Sequence, residues 1–426
     1  MVRYRWVFRA LLALLLIPTA LQSFTTIART TAPADLCDKD LLQDYLMVRA
    51  LQEGSDPYQS IPSLVRQYQK ECSEVPYHEH PSPHTVPMAV ATAGLFGGKT
   101  LAEAFERWHL VQVALLLVAI ALLRRLPDTP LGILETVCLG VVAFGSLSTQ
   151  SELYHGQANI FLLLLFSSGL LAQKRGDESL AGILFGLATG IKFFGALLLF
   201  QAVAQRRWRM VGGFLVGFVT CLTLWLLVGG QGSLLRYFTE VVPQMSAYYR
   251  NCSINQSVWS LPSWLFQGSE RPCFPWREDG STGTPLWIAP ELFAITEYLL
   301  PVVLVALLFV FALRWPSRLR STIAVIVLGT VASPIVWGHA IVQTLVVLPL
   351  LLQGAMAEGS ARRHLMGASL WMFGAIILPL VAAFAVHAPD RVPSAVVMVS
   401  NTSLLWVLVG TFLALAPGAA RQERCD

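Results

Sequence analysis

The hydrophobic positions of the chain fall into repeated runs of membrane length. Apolar segments of about 20 residues recur, each flanked by Arg or Lys, which is the pattern that a hydrocarbon core about 30 Å thick selects. The composition agrees, since 55% of the 426 residues are hydrophobic and only 13% are charged. The pattern predicts an all-α polytopic membrane protein that forms one integral membrane domain over residues 1–426.

Basic clusters at the ends of the apolar runs predict the orientation in the membrane. The positive-inside rule places all of them on the cytoplasmic face, with both termini, in the plasma membrane. About eleven or twelve membrane or half-membrane segments then fit the chain, with extracytoplasmic loops at 28–106 and 230–293. Full spans are predicted at about 107–123, 129–149, 158–173, 210–229, 294–313, 321–339, 342–357, 365–387 and 394–417.

The first apolar run, near the N-terminus, fits either a signal peptide or a first span. We interpret it as a retained span, because no small-residue cleavage site of the A-x-A type follows it cleanly. The net charge of +4 reflects the basic clusters that set topology, and no nucleic-acid motif accompanies it. No nucleic-acid partner is therefore expected.

The segment 179–204 carries inside-type charge at both ends. A single crossing would place every later basic cluster on the wrong side, whereas two re-entrant half-helices meeting near Gly190 and Lys192 preserve the topology. Broken helices are tolerated in a membrane only where they are buried in protein or line a wet cavity. A lysine at such a position is costly, so we interpret Lys192 as an anion-binding group, with carboxylate pairing or snorkelling as the alternative.

The first predicted loop carries a candidate base. Asp40 precedes a segment whose apolar spacing predicts a short helix on the membrane surface. A partly desolvated carboxylate there could act as a general base on a hydroxyl, and the alternative is a helix cap or a solvated side chain. Further on, His78, His80 and His84 lie close together in "YHEHPSPH". Their spacing is not that of a helical ligand pair, so no metal and no cofactor are predicted.

Polar residues also interrupt the later apolar runs. In "YHGQANIF", after His155, the amides of Gln157 and Asn159 could bind sugar hydroxyls or hold a catalytic loop. In "SPIVWGH", His339 could donate to a phosphate or shuttle a proton, and a buried structural histidine is the alternative. Asn255 belongs to a Trp-rich segment that we place over the site. If both loops face an oxidising compartment, Cys37–Cys72 and Cys252–Cys273 could form disulfides.

The order of short motifs resembles one family of membrane enzymes. These are the polyprenyl-phosphate-mannose-dependent α-1,2-mannosyltransferases of the GT-C fold, which include the enzyme that elongates phosphatidylinositol mannosides. The resemblance covers roughly residues 1–355. The motifs are D-x4-Y from Asp40 to Tyr45, A-L-x2-G-x-D-P-Y ending at Tyr58, "HPSP", "GQAN", "AGILFGLATGIKFF", "NQS" and "SPIVWGH".

The resemblance implies roles for these positions. Asp40 matches the family's base, with Asp44 as a rival, and Lys192 and His339 match positions near the donor phosphate. Sugar or acceptor binding, or loop positioning, is expected of Tyr58, His80, His155, Gln157, Asn159 and Asn255. The chain departs from the family in having "HPSP" where a double proline is common and a single histidine in "WGH".

The resulting hypothesis is an inverting glycosyltransferase. Its partners would be membrane lipid, a polyprenyl-phosphate-linked sugar donor, and a glycolipid or glycan acceptor on the extracytoplasmic side. Mannose is expected from the resemblance, and arabinofuranose or another lipid-linked sugar stays open. A transporter or flippase for a lipid-linked or anionic solute is the alternative, since it would also use a broken helix and an intramembrane lysine. A non-catalytic assembly factor is a further alternative.

Overall fold

The protein is helical throughout the part that its structure, a computed structural model, describes. No β-strand occurs in that part, and the predicted all-α membrane fold is confirmed. Apart from a few isolated positions, the structure describes residues 36–75, 79–95, 100–250, 255–267, 287–356 and 403–415. Most of the predicted span 365–387 and the residues of the first apolar run lie outside it.

The helices are numbered in chain order. The first six are α1 (Leu41–Gln52), α2 (Ile61–Tyr68), α3 (Val86–Ala89), α4 (Leu101–Leu123), α5 (Ile133–Gly145) and α6 (Leu147–His155). Next come α7 (Asn159–Lys174), α8 (Glu178–Ile191), α9 (Ala196–Ala204), α10 (Trp208–Arg236) and α11 (Val242–Arg250). The last are α12 (Pro290–Leu313), α13 (Arg318–Ala332), α14 (Leu348–Met356) and α15 (Ser403–Leu415). Short 3-10 or π turns lie at Lys70–Cys72, Val90–Gly94, Phe193–Gly195, Tyr237–Val241, Val258–Ser260, Ser263–Gln267 and Gly338–Val347.

Fewer continuous membrane-length helices occur than the apolar runs predicted. Within the described residues, three are long and apolar enough to cross a membrane: α4, the α10–α11 segment and α12. A fourth span results if α5 and α6, bent by 54°, are taken together. The predicted span 158–173 is one helix of 16 residues, α7, whereas turns and polar residues divide other predicted spans into shorter helices. The predicted span 129–149, for example, is broken at Ser146, whose side chain caps α6.

The predicted extracytoplasmic loop at 230–293 begins as helix, and its position relative to the membrane stays a prediction. The chain kinks at Gly230, whose φ of +72° favours glycine, and then continues as helix to Arg250. The Ser233 hydroxyl donates to the Gly230 carbonyl at 3.1 Å, which satisfies an acceptor freed by the kink. Beyond it, Tyr237 and Met245 are buried. Apolar packing therefore extends the helix where the sequence pattern predicted a loop.

The broken segment divides at Lys192. Helix α8 ends at Ile191, Lys192 is extended (φ −151°, ψ 124°), and a 3-10 turn leads into α9. The Thr85 hydroxyl donates to the Ile191 carbonyl at 2.7 Å, so an orphan carbonyl at the helix end is satisfied inside the protein. The break lies where the sequence predicted it. That the pair re-enters the membrane from one side stays a prediction.

Glycines allow α8 and α10 to pack with their backbones in contact. A Cβ atom added at Gly186 would collide with the Phe214 carbonyl, and one added at Gly217 with the Ile183 carbonyl. Gly182 and Gly213 occupy the adjacent turns and show the same crowding. This is the small-x3-small arrangement by which membrane helices approach closely. It fixes the helix that ends at Lys192 against a long apolar helix.

Helix α1 is more deeply buried than the sequence predicted. Leu41, Leu42 and Leu46 are 0–1% exposed and belong to one apolar cluster with Phe105 and Trp108. The expectation of a helix lying on the membrane surface is therefore wrong. The disulfide Cys37–Cys72 joins the start of this region to the turn that follows α2. The N-terminal end of α1, where Asp40 lies, is consequently held against α4.

Replacing Gly217 by leucine should destabilise the protein by about 1–3 kcal/mol, because the side chain would enter the α8 backbone. Gly212→Leu is the matched control on the same helix, since a Cβ there meets nothing within 4 Å. Thermal unfolding midpoints in detergent measure both. Equal midpoints for the two variants would contradict the close α8–α10 contact.

Candidate active site

The turn between α6 and α7 places the central amide of the site. Gly156 closes α6 with φ +71°, and a Cβ there would lie 2.9 Å from the Leu41 Cβ, so the turn approaches α1 closely. Trp108 Nε1 donates to the Gly156 carbonyl at 2.9 Å, and Gln112 Nε2 donates to the Gln157 carbonyl at 2.7 Å. Two side chains of α4 thus fix the backbone that carries Gln157.

The Gln157 side chain joins two charged groups that are far apart in sequence. Its Nε2 donates to Asp40 Oδ2 at 2.7 Å, and its Oε1 accepts from Lys192 Nζ at 3.2 Å. One buried amide therefore connects the carboxylate of the first loop with the lysine of the broken segment. The structure brings together three residues that the sequence analysis selected independently.

Asp40 stands at the start of α1, but its carboxylate makes no hydrogen bond to the helix end. The bond to Gln157 takes the place of a cap. Burial favours the neutral acid, but nearby His155 and His339, the Gln157 bond and His84 together outweigh it and lower the pKa of Asp40 below its ordinary value. The half-buried carboxylate is therefore ionised near neutral pH and can accept a proton.

The rival carboxylate, Asp44, is fully buried, and both of its oxygens have hydrogen-bond partners within the protein. Its Oδ1 lies 2.7 Å from His84 Nδ1, and its Oδ2 accepts from the Thr92 hydroxyl at 2.8 Å. Accessibility and free acceptor capacity favour Asp40 over Asp44 as the group that meets a substrate.

Lys192 is held by amide oxygens. Besides Gln157 Oε1, its ammonium donates to Asn159 Oδ1 at 3.4 Å. Among the residues that the structure describes, no carboxylate oxygen lies within 4.0 Å of Nζ, so Lys192 forms no direct ion pair there. A lysine has three N–H donors, and two oxygens leave donor capacity for an anion.

Sequence reasoning missed Glu152, which organises this side of the site. Its fully buried carboxylate accepts from Asn159 Nδ2 at 2.7 Å and from the backbone N–H groups of Asn159 and Ile160 at the start of α7. Since the Asn159 amide nitrogen faces Glu152, its oxygen faces Lys192 and Gln343, which donates to it at 2.8 Å. An acidic residue beside a predicted span was the available signal.

A cavity of about 310 Å³ adjoins these groups. Its polar lining includes His84, Gln157, Lys192 and His339, together with the hydroxyl groups of Thr85, Ser246 and Ser333. Most of the remaining wall is apolar or aromatic, including Met88, Ile191, Phe193, Phe194, Tyr237, Phe238, Val241, Val242, Met245, Ile335 and Trp337. Such a lining suits a ligand that combines a polar or charged head with an apolar tail.

Asp40 is not part of the cavity wall and meets it through Gln157. His155, half-buried, lies between these groups: its ring centroid is 6.4 Å from that of His339. The arrangement separates a cation-lined cavity from a carboxylate on the other side of one amide. The cavity side suits a molecule that carries a phosphate, and the carboxylate side suits a second molecule that carries a hydroxyl.

Among the predicted site residues that lie outside the cavity lining, three hold loops. The Tyr58 hydroxyl donates to the His84 carbonyl at 3.1 Å. His80 uses one ring nitrogen with the Pro81 carbonyl (2.8 Å) and the other with the Tyr249 hydroxyl (2.7 Å). Buried Asn255 donates to the Pro334 carbonyl at 2.9 Å and accepts from the Val336 N–H at 2.9 Å. Of the two functions expected for them, these contacts serve loop positioning.

The second predicted disulfide lies only partly within the described residues. Cys252 is disulfide-bonded, but Cys273 lies outside the described residues, and so does the pairing predicted for them. Within the described residues, His, Cys, Asp and Glu side chains form no group of three that could hold a metal ion.

Comparison with known proteins relates this chain to a family of enzymes. The model of glycosyltransferase family 87 matches residues 86–336, which include Gln157 and Lys192 but neither Asp40 nor His339. A mannosyltransferase of Mycolicibacterium smegmatis is 37% identical over 94 residues, 22% of this chain and 22% of that protein. Its name is polyprenol-phosphate-mannose-dependent alpha-(1-2)-phosphatidylinositol pentamannoside mannosyltransferase. No solved structure matches the chain. Because the family model covers well over half of its length, the chain belongs to glycosyltransferase family 87.

Proposed function

We propose that the protein transfers a sugar from a polyprenyl-phosphate-linked donor to a hydroxyl of a glycolipid or glycan, with inversion at the anomeric carbon. The observation that carries the proposal is the Gln157 side chain, which touches Asp40 with its nitrogen and Lys192 with its oxygen. A base for the acceptor and a cation for the leaving phosphate are thereby held on either side of one rigid group.

The proposed reaction is a single displacement. The acceptor hydroxyl loses its proton to Asp40, and its oxygen forms a bond to the anomeric carbon as the bond from that carbon to the phosphate oxygen breaks. The electron pair of the broken bond leaves with the polyprenyl phosphate, which gains a negative charge. Lys192 and His339, both in the cavity wall, stabilise that charge.

The donor class follows from the cavity and from the partial relative. A polyprenyl phosphate sugar has an apolar tail, an anionic phosphate and a polar head, and the cavity offers aromatic walls, a lysine and amide groups for the three. The relative named above uses polyprenol-phosphate mannose, so mannose is the first sugar to test. Arabinofuranose is the second.

The proposed reaction takes place on the extracytoplasmic face of the plasma membrane. The basic clusters place both termini inside, and Asp40 then lies in the first outside loop. The disulfide between Cys37 and Cys72 supports this side, because disulfides persist in oxidising compartments.

Product formation is the decisive experiment. Purified protein in nanodiscs receives polyprenyl-phosphate mannose or arabinofuranose with a mannoside acceptor, and mass spectrometry detects a new glycosidic product. A product that appears with one donor supports the proposal. If the donor is instead moved between leaflets of proteoliposomes and no glycosidic bond forms, the protein is a flippase and the proposal is wrong.

Removing the proposed base should abolish most activity. Asp40→Asn keeps the shape of the side chain but loses the proton acceptor, and kcat should fall by roughly 10²- to 10⁴-fold. The control is Asp38→Asn, since Asp38 is exposed and two residues away. Full activity in a folded Asp40→Asn protein would show that another group is the base.

The pH dependence follows from the lowered pKa of Asp40. The base works when ionised, so activity is lost as pH falls through that pKa. Because this pKa lies below the ordinary aspartate value of 3.8, kcat/KM should stay flat from about pH 7 to about pH 5. An acid limb centred near pH 6 would contradict the assignment, and short assays with a stability check at each pH measure it.

Loss of the lysine charge should weaken use of the donor. Lys192→Gln removes a hydrogen bond to a charged phosphate, so the donor KM should rise roughly 10- to 100-fold while the amount of folded protein changes little. Lys70→Gln, an exposed lysine in the first loop, is the control for the loss of one positive charge. Unchanged donor kinetics in Lys192→Gln would remove Lys192 from the phosphate site.

A further inference from the structure

A second acid and base pair adjoins the Gln157 side chain. Asp44 Oδ1 lies 2.7 Å from His84 Nδ1, and the other ring nitrogen, Nε2, lies 3.4 Å from Gln157 Nε2. Asp44, His84 and Gln157 are all buried, with exposed fractions of 0%, 6% and 2%. The Thr92 hydroxyl donates to the remaining Asp44 oxygen at 2.8 Å, which completes a continuous series of contacts from Thr92 to Gln157.

The network assigns the proton positions on the imidazole. Asp44 accepts on both oxygens, so the ring nitrogen that faces it, His84 Nδ1, carries the proton. In the neutral ring Nε2 is then an acceptor, and it faces the Gln157 amide nitrogen, which is a donor. Asp44 thereby makes His84 complementary to Gln157 in the orientation that the structure shows.

The orientation of this amide matters because its two ends do different work. With its nitrogen toward His84 and Asp40, Gln157 donates to the carboxylate and offers its oxygen to Lys192. If the amide turned by 180°, its oxygen would face the Asp40 carboxylate and its N–H groups would face the Lys192 ammonium. Both of these contacts would be repulsive. A third partner, His84, that favours the observed amide orientation therefore also favours the hydrogen bond from Gln157 to Asp40.

We propose that the Asp44–His84 pair is a positioning dyad that acts through the Gln157 amide to hold Asp40 in its base orientation. The inference rests on the proposed function, in which Asp40 receives the acceptor proton. It gives Asp44, the rival carboxylate, a role that reaches the substrate only through His84, Gln157 and Asp40. It also gives a role to His84, for which the sequence pattern predicted no metal and no specific function.

A different role for His84 has to be separated from this one. His84 also lines the cavity, so it could bind the donor directly and independently of Gln157. A direct donor contact changes donor KM, whereas positioning of Asp40 changes kcat and the acid limb of the pH profile. The other titratable groups whose charges reach Asp40 are His155, His339, Lys192 and Tyr249, and the variants below leave all four in place.

The test is a double-mutant cycle on the full-length protein in nanodiscs. His84→Asn keeps an amide near the position of Nδ1 for Asp44 but removes the atom that faces Gln157. Gln157→Leu removes the amide, and the third protein carries both changes. Each is assayed for kcat, donor KM and the pH dependence of kcat/KM with the donor and acceptor that wild type uses.

We expect His84→Asn to lower kcat about 10- to 100-fold and to move the acid limb to higher pH, because the Gln157 hydrogen bond that His84 positions lowers the pKa of Asp40. In the Gln157→Leu background the same change should have little further effect on kcat, since residues acting through one another are not additive. Asp44→Asn should shift the limb in the same direction. Additive losses, or a rise in donor KM alone, would overturn the dyad.

A control separates positioning from loss of structure. Tyr58→Phe removes the hydrogen bond to the His84 carbonyl without touching the ring, so it should lower the unfolding midpoint and leave the acid limb in place. If His84→Asn does not fold, His84→Gln replaces it: its amide oxygen can accept from Gln157, and it should recover more kcat than Asp44→Asn. A kcat for His84→Gln that is no higher than that of Asp44→Asn would contradict the inference. Product from wild type shows that the proposed function holds even when the cycle is additive, whereas wild type without product fails the function itself.

Discussion

The positive charge of Lys192 is the constraint on which the rest of the site depends. An ammonium group placed inside a bundle of apolar helices costs several kcal/mol unless polar groups surround it. The protein supplies two amide oxygens, from Gln157 and Asn159. Neither is a full negative charge, so the lysine is solvated without being neutralised by a direct partner. This arrangement keeps the group able to attract a phosphate.

Each of these amides is in turn oriented by a carboxylate. Glu152 accepts from the nitrogen of Asn159, and Asp40 accepts from the nitrogen of Gln157, so both amide oxygens face the lysine. The network has one acidic end that is fully buried, Glu152, and one that is half-buried, Asp40. The half-buried end, Asp40, is where a proton can be taken up. The contacts that turn both amide oxygens toward Lys192 therefore also hold Asp40 in place.

The sequence predicted the membrane fold from its apolar runs. It singled out three residues because each is a polar or charged side chain in or beside an apolar segment. Lys192 broke an apolar run, Gln157 stood between two greasy segments, and Asp40 followed a span. Their meeting could not be predicted, since Gln157 and Asp40 are separated by 117 positions. The burial of α1 was missed because an amphipathic segment looks alike whether it packs on lipid or on protein. The helix beyond Gly230 was not predicted because the pair Gly229 and Gly230 favours a helix end. In the structure the helix continues past the kink, and the Ser233 hydroxyl donates to the Gly230 carbonyl.

The roles of Asp44, Glu152 and His84 were hidden for a related reason. A buried polar side chain acquires its function from the partner it meets, and the partners of Asp44 lie 40 and 48 positions away. Tyr58, His80 and Asn255 show the converse case, since they belong to the resembling motifs yet hold backbone groups or another side chain around the cavity. Motif membership alone does not distinguish loop positioning from substrate binding, whereas the contacts of a side chain do.

The anomeric configuration of the product tests the central claim most directly. In the proposed reaction a base and a phosphate-binding cation lie on opposite sides of one amide, which favours attack from the face opposite the leaving phosphate. Nuclear magnetic resonance of the glycoside made by the purified protein should therefore show a configuration opposite to that of the donor. A product that retains the donor configuration would contradict single displacement with Asp40 as the base.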